Sequence, residues 1–234
     1  MESGQGSAFP YIIRHMRPTD IPALVEFFNE NEKLEKTVVA GSVPEFTEWY
    51  VSPSNHTLYT LAFALNADGS EGKLVGEMEF IRRGGEDQVM GWMHVHPGYR
   101  LNGVGRALYA EFERLLAGED VASVVFPPNA KATLLIEFLR RRGFEFDRYF
   151  WTLQLPPDRL VDEAAMLEGI TVRTFRHGAD EELFAHVRNA TFAGHYGSIP
   201  RTLEEMTYYT RQEHFRAEGV FFAFRGDDIA GFSY

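Results

Sequence analysis

The order of hydrophobic periods along the 234 residues predicts an α/β protein, α+β in the mixed character of its sheet, followed by a partial second copy of the same plan. Three observations carry this. Between Val89 and Leu108 a strand passes through a turn and a glycine-containing loop into a helix. Strand and helix periods precede and follow that stretch in one continuous order. The opening of the chain is then echoed from Ile170 onward.

Tyr11 to Arg17 reads as the first strand, and Pro18-Thr19-Asp20 starts a helix to about Asn31, with Ile21, Leu24, Val25 and Phe28 on one face. A second short helix is expected from Pro44 to Val51, with a turn at Pro53-Ser54-Asn55. Thr57 to Leu65 and Lys73 to Arg82 form a hairpin through Ala67-Asp68-Gly69-Ser70, and Gly84 to Asp87 turns into the strand Val89 to Val95. The next helix, Gly103 to about Ala117, carries Val104, Leu108, Phe112 and Leu115 at helical spacing. Val121 to Phe126 suits a strand buried on both faces, Ala130 to Arg142 a helix, and Phe144 to Leu155 one or two closing strands.

In the central stretch Arg100, Gly103 and Gly105 stand as R-x-x-G-x-G. Glycines let a ligand approach the backbone, and the unpaired N–H groups at a helix start favour an anion. A strand feeding such a helix start is a diphosphate cradle. The dinucleotide fingerprint and the ATP-binding P-loop are both absent, since Arg106 and Ala107 follow Gly105. Val95, Pro97, Arg100, Gly103 and Gly105 instead meet V-x-P-x-x-[RQ]-x-x-G-x-[GA], and the segment resembles the acyl-CoA-binding motif of the GNAT superfamily of N-acetyltransferases. The element order over residues 11–155 resembles that family too. Many members have Gly-Arg or Gly-Lys after the arginine, where this chain has Leu101-Asn102.

The resemblance implies acetyl-CoA as co-substrate, no metal, and direct attack by the amine of a small molecule or peptide. It implies a cradle of backbone amides over Arg100, Leu101, Asn102, Gly103, Val104, Gly105 and Arg106, with side-chain charge from Arg100 and Arg106 on the phosphates. It places the oxyanion-binding N–H at Val95, opened by a strand bulge, with Met93 along the pantetheine arm. Asn129 matches the family's pantetheine asparagine and equally suits a helix N-cap. The family's tyrosine acid is missing: the corresponding positions hold Ile136 or Leu139. For the base, alternation puts Val89, Gly91 and Met93 on the face where family bases sit, with His94 and His96 on the other. Asp87 continues that parity, Glu79 and Glu77 on the preceding strand are alternatives, and a water relay competes with all three. Arg141 and Arg142, in the last turn of their helix, are expected to be structural. A non-catalytic acyl-CoA-binding module is the competing reading.

After Leu155, a linker helix is expected within residues 156–169. Ile170 to Arg176 then repeats Ile12 to Arg17, two helices follow at Asp180–Phe192 and Thr202–Ala217, and two strands at Gly219–Arg225 and Ile229–Tyr234 close the chain. Ile229-Ala-Gly-Phe aligns with Leu74-Val-Gly-Glu, so residues 170–234 read as the first half of a second GNAT-like domain, tandem in the manner of mycothiol synthase-like proteins. Its last strand would leave an open edge, to be covered by the first domain, by further chain or by a second molecule in a homodimer.

Residues 1–10 are small and polar, a loose tail without a signal pattern. Apolar content of 44% allows a substantial core, and no run of about 18 apolar residues suggests a membrane span. A net charge of −11 disfavours nucleic acid and anionic membrane, and suits a cationic amine. Zero cysteines exclude thiolate chemistry and suit a reducing cytoplasm.

Overall fold

A computed structural model of the protein describes residues 10–35, 41–82, 87–151, 153, 155–156, 158–159, 167–196 and 198–234. Two units are present: Met1–Val51 with Asn55–Glu145, and Ser52–Ser54 with Phe146–Tyr234. The first contains β1 (Tyr11–His15), α1 (Ile21–Glu35), α2 (Val43–Tyr50), β2 (Thr57–Leu65), β3 (Glu71–Ile81), β4 (Gln88–Val95), α3 (Val104–Leu116), β5 (Ser123–Val125) and α4 (Thr133–Arg140). The sheet runs β1-β2-β3-β4-β5, antiparallel except for the parallel pair β4/β5.

Each face of this sheet has its own core. On one, Val75, Met78, Phe80, Val89 and Met93 pack against Val104, Leu108, Tyr109 and Phe112 of α3 and Leu139 of α4. The spacing 104, 108, 112 is one stripe of a helix, and burying each such side chain contributes about 1.5–3 kcal/mol. On the other face Leu24 and Phe27 of α1 cover Tyr59, Leu61, Phe63 and Leu74, with Phe28 and Phe46 packed beside them. The start of α2 is fixed by a capping box in which Ser42 and Glu45 bond each other's backbone N–H.

The second unit contains β6 (Ile170–Thr174), α5 (Glu181–Phe192), α6 (Leu203–Thr210), β7 (Phe221–Arg225) and β8 (Asp228–Ser233), its strands antiparallel in the order β6-β7-β8. Phe175, Phe184, Val187, Met206 and Phe222 form its core.

Several local devices occur in both units. Arg14 grips Asp20 through both terminal nitrogens (2.7 and 2.9 Å), and Asp20 also accepts from the Arg17 N–H. Arg173 grips Asp180 likewise (2.6 and 2.8 Å), and Asp180 accepts from the Arg176 N–H. The guanidiniums lie over Phe63 and Phe224 respectively. Asn29 bonds both backbone groups of Gly41, and Asn189 bonds both of Arg201. Thr202 and Glu205 form the same capping box as Ser42 and Glu45. Even the irregularity recurs. β2/β3 steps from Ala62↔Gly76 to Phe63↔Leu74, and β7/β8 from Ala223↔Gly231 to Phe224↔Ile229, one residue left over each time.

Asp20 is held below the ordinary aspartate range by its hydrogen bonds from Arg14. Asp180 is pushed up by burial, but Arg173 and Arg176 outweigh this and hold it low. A lowered carboxyl contributes stability above its unfolded value, lost as pH falls through the folded one. Asp20→Asn and Asp180→Asn should therefore each destabilise by about 1–2 kcal/mol at neutral pH, since each removes the charged partner of a part-buried guanidinium; Arg14 keeps Glu71. In urea melts the gap to the parent should narrow below the aspartate range.

Three expectations fail. The strand expected over Val121–Phe126 and buried on both faces forms only over Ser123–Val125, with Ser123 exposed. Among the described residues of Phe144–Leu155 no strand forms; Phe146, Tyr149, Phe150, Trp151, Leu153 and Leu155 are exposed. The Phe146 ring folds onto Tyr149 (4.6 Å), a contact between residues three apart that an extended strand forbids. The expected helix to Ala217 stops at Thr210, with a separate short turn over Ala217–Gly219. Residues 1–9, the Arg83–Glu86 part of the turn before β4, and most of the expected linker helix lie outside the described residues.

Candidate active site

The site is organised by the far end of β4. β5 pairs only with Gln88–Met90, so Gly91–Val95 has no described partner strand on that side. The His96 N–H donates to the Val75 carbonyl (2.9 Å), and Val95 stands opposite Gly76. By antiparallel alternation the polar groups of Met93 and Val95 then face away from β3, into the gap left by β5. The β3/β4 ladder is regular through Val95, so the gap arises because β5 ends, and the bulge expected in β4 is absent. Phe126, following β5, lies against Gly91; a Cβ there would stand 2.3 Å from its ring.

The loop from Arg100 leads into α3 with Gly103 as its N-cap at φ 90°, without a side chain bonded to the first-turn amides. Those N–H groups are left for an anion, which is the fit that an acyl-CoA diphosphate requires. Gly105 sits over Val95 and Met93. Arg106 is exposed on the first turn. Arg100 does something other than the sequence suggests. Its Nε donates to the Val95 carbonyl (2.9 Å), and its terminal nitrogens grip Glu35 at the end of α1 (2.6 and 2.5 Å). Its guanidinium is thus committed to holding β4, the loop and α1 together, and it offers the cradle only backbone.

Leu101, at the position of the family's glycine, takes a left-handed φ of 64° and is 94% exposed. A side chain in that region costs about 1–2 kcal/mol, while glycine gives back part of this through unfolded-chain entropy. Leu101→Gly should therefore raise stability by about 0.5–1 kcal/mol, read as a higher melting temperature.

The face that Val89, Gly91 and Met93 share is the one covered by α3. Val89 and Met93 point into the α3 core, and the polar residues lie on the α1 side. There the register sets Glu77 opposite His94 and Glu79 opposite Trp92. Glu77 is wholly buried and bonds His94 Nδ1 through Oε1; among the described residues Oε2 has no partner. That contact engages His94 Nδ1 and leaves Nε2 as the ring nitrogen not bonded to Glu77. His94 is one residue from Val95. Burial pushes the Glu77 carboxyl up, with His94 opposing, and pushes Glu79 well above the ordinary carboxylate range, with Glu77 adding to it.

Asp87 is exposed at the start of β4, eight residues and roughly 26 Å from Val95, so it cannot serve that end. His96 Nδ1 accepts from the Gly98 N–H (3.1 Å), which occupies it in the turn. Asn129 is exposed and its Oδ1 accepts from Lys131 N–H (2.9 Å); the N-cap of α4 is Ala132. Arg141 pairs with Glu137 (2.8 Å), and Arg142 lies over Phe138, 3.4 Å from its ring centre. Sequence reasoning set His94 on the face opposite the expected base and did not foresee its contact with Glu77. The signal lay in the facing register, in which Glu77 stands opposite His94.

A model of the acetyltransferase (GNAT) family matches residues 24–144. The mycothiol acetyltransferase of Streptomyces bingchenggensis is 32% identical over 164 residues, covering 70% of this chain and 53% of the relative. That of Stackebrandtia nassauensis is 31% identical over 145 residues, covering 61% and 47%. The chain spans about half the length of these curated relatives. A GCN5-related N-acetyltransferase from Sphaerobacter thermophilus shares the fold, with a TM-score of 0.70 at 21% identity over 95% of this chain and 70% of that one. With the family's motif at the start of α3 and its model matched across more than half of the chain, this protein belongs to the acetyltransferase (GNAT) family.

Proposed function

We propose that the first unit transfers an acetyl group from acetyl-CoA to a primary amine by direct attack. The observation that carries this reading is the coincidence, at one end of β4, of an uncapped helix start, an unpaired backbone edge and the Glu77–His94 pair. Acetyl-CoA supplies an acyl group activated as a thioester. The first-turn amides of α3 hold its diphosphate, and the Met93 and Val95 edge takes the pantetheine arm. His94 Nε2 removes a proton from the incoming ammonium, and Glu77 steadies the imidazolium that results. The Val95 N–H donates to the acyl oxygen as negative charge builds there. The N–C bond forms, the C–S bond breaks, and the amide, CoA and one proton leave. A thiol of pKa about 8.5 departs readily as thiolate and collects its proton from solvent, so the absence of the family's tyrosine is tolerable.

The relatives named mycothiol acetyltransferase make an amine-bearing small molecule the first acceptor class to test. We read residues 170–234 as the opening half of a second GNAT-like domain, supported by the Arg–Asp grip, the asparagine clasp and the shared bulge. The absence of cysteine agrees with a cytoplasmic setting.

Isothermal titration with acetyl-CoA, followed by thiol release in the presence of pooled amines, separates the readings. Binding with amine-dependent thiol release is expected. Binding without release would make the unit an acyl-CoA-binding module.

A further inference from the structure

Resting on the acetyl-transfer reading, we propose that the acceptor is an arylalkylamine, a primary amine carried on an aromatic body, seated between α2 and the α1-side face of the sheet. A line of rings leads to His94 from the surface. Phe28 meets His94 edge-on at 6.1 Å, Phe46 meets Phe28 at 6.2 Å, and Trp49 and Tyr59 meet Phe46 at 5.3 and 5.9 Å. The outer end of the line is open: Trp49 is 40% exposed, and no residue of α2 is buried. The helix covers this face loosely, leaving aromatic surface that a flat apolar ligand would cover.

Beneath the rings lie two carboxyls of one sign. Glu77 faces His94 and Glu79 faces both Trp92 and Tyr59, about 6.6 Å apart along β3. Among the described residues no cation is paired with Glu79, which is part-exposed, whereas Glu77 is wholly buried and held by His94. An ammonium brings Glu79 three donors and the opposite charge. The upward displacement of both carboxyls by burial fits a site that a cation would relax. The rings add attraction for the cation and stacking for an aromatic body. A sugar amine fits poorly, because its hydroxyls would lose water against the rings and find few partners. In the reaction the ammonium passes one proton to His94, its nitrogen bonds the acyl carbon, and the thiolate departs.

The test compares initial thiol release from acetyl-CoA with phenylethylamine, butylamine and glucosamine, using the full chain. Burial of one ring should raise kcat/KM for phenylethylamine at least about tenfold over each of the others. Trp49→Ala should raise its KM about fivefold or more, and Glu79→Gln should raise KM for both monoamines, with acetyl-CoA affinity unchanged in each variant. Equal or better turnover of glucosamine would overturn the assignment. So would an absence of turnover with all three amines by protein that binds acetyl-CoA, or an unchanged KM in Trp49→Ala. Failure of the acetyl-transfer reading is visible separately, as no heat on titration with acetyl-CoA.

Discussion

Replacing His94 by alanine should lower the turnover number for acetyl transfer by about 10²–10⁴-fold, the range a positioned base contributes, with acetyl-CoA affinity unchanged. The effect is large because Glu77, His96 and Asp87 are each held or placed elsewhere. Glu77 Oε1 is taken by His94 and the residue is wholly buried, His96 Nδ1 is tied to Gly98, and Asp87 is at the far end of the strand. His94 meets the edge of Phe28 and the Glu77 carboxyl and is outside the two core clusters of the unit, so the variant should fold, although it leaves Glu77 buried without its partner. Glu77→Gln separates position from basicity. It keeps the side chain's shape but removes the charge that steadies an imidazolium, and about a tenfold loss in turnover is expected. Both are read from initial rates at saturating acetyl-CoA. A His94→Ala variant that keeps the parent turnover number would remove His94 from the chemistry.

Gly103→Asp should weaken acetyl-CoA binding by about tenfold to a hundredfold, because it places an anion at the helix start where the diphosphate's charge belongs. Aspartate is chosen because it tolerates the left-handed conformation, here φ 90°, better than most side chains. The nearest group to its Cβ would be the Tyr11 hydroxyl at 3.2 Å, which needs only a small shift. Thermal melting should therefore change little while calorimetric affinity drops. An unchanged affinity in a folded variant would mean that the diphosphate does not meet these amides.

Much of the fold was legible because its periods are strong. β2 coincides with the expected Thr57–Leu65, and α3 needed only the stripe Val104, Leu108, Phe112 after an R-x-x-G-x-G loop. The Ile229-Ala-Gly alignment with Leu74-Val-Gly pairs the two segments in which the structure places a bulge at the corresponding residue, which the sequence did not announce. Failures came where long-range pairing decides. Phe144–Leu155 has strand-like composition, but ring contacts between near neighbours took the place of a partner strand. The glycine-started helix at Gly103 was readable because backbone conformation follows from glycine spacing. The Glu77–His94 pair was not, because strand alternation alone does not say which face meets α1 and which meets α3. Arg100 shows the same limit. Its motif position was evident, whereas its Glu35 partner lies 65 residues away and only tertiary structure brings them together.

Backbone hydrogen exchange with and without acetyl-CoA tests most directly whether β4 and the start of α3 form one acyl-CoA site. Added acetyl-CoA should slow exchange over residues 91–95, along the edge that β5 leaves open, and over residues 101–106 at the helix start. Exchange in β7 and β8 should be unaffected. Protection confined to the second unit, or binding with no change between residues 91 and 106, would contradict the assignment of this end of β4 as the acetyl-transfer site.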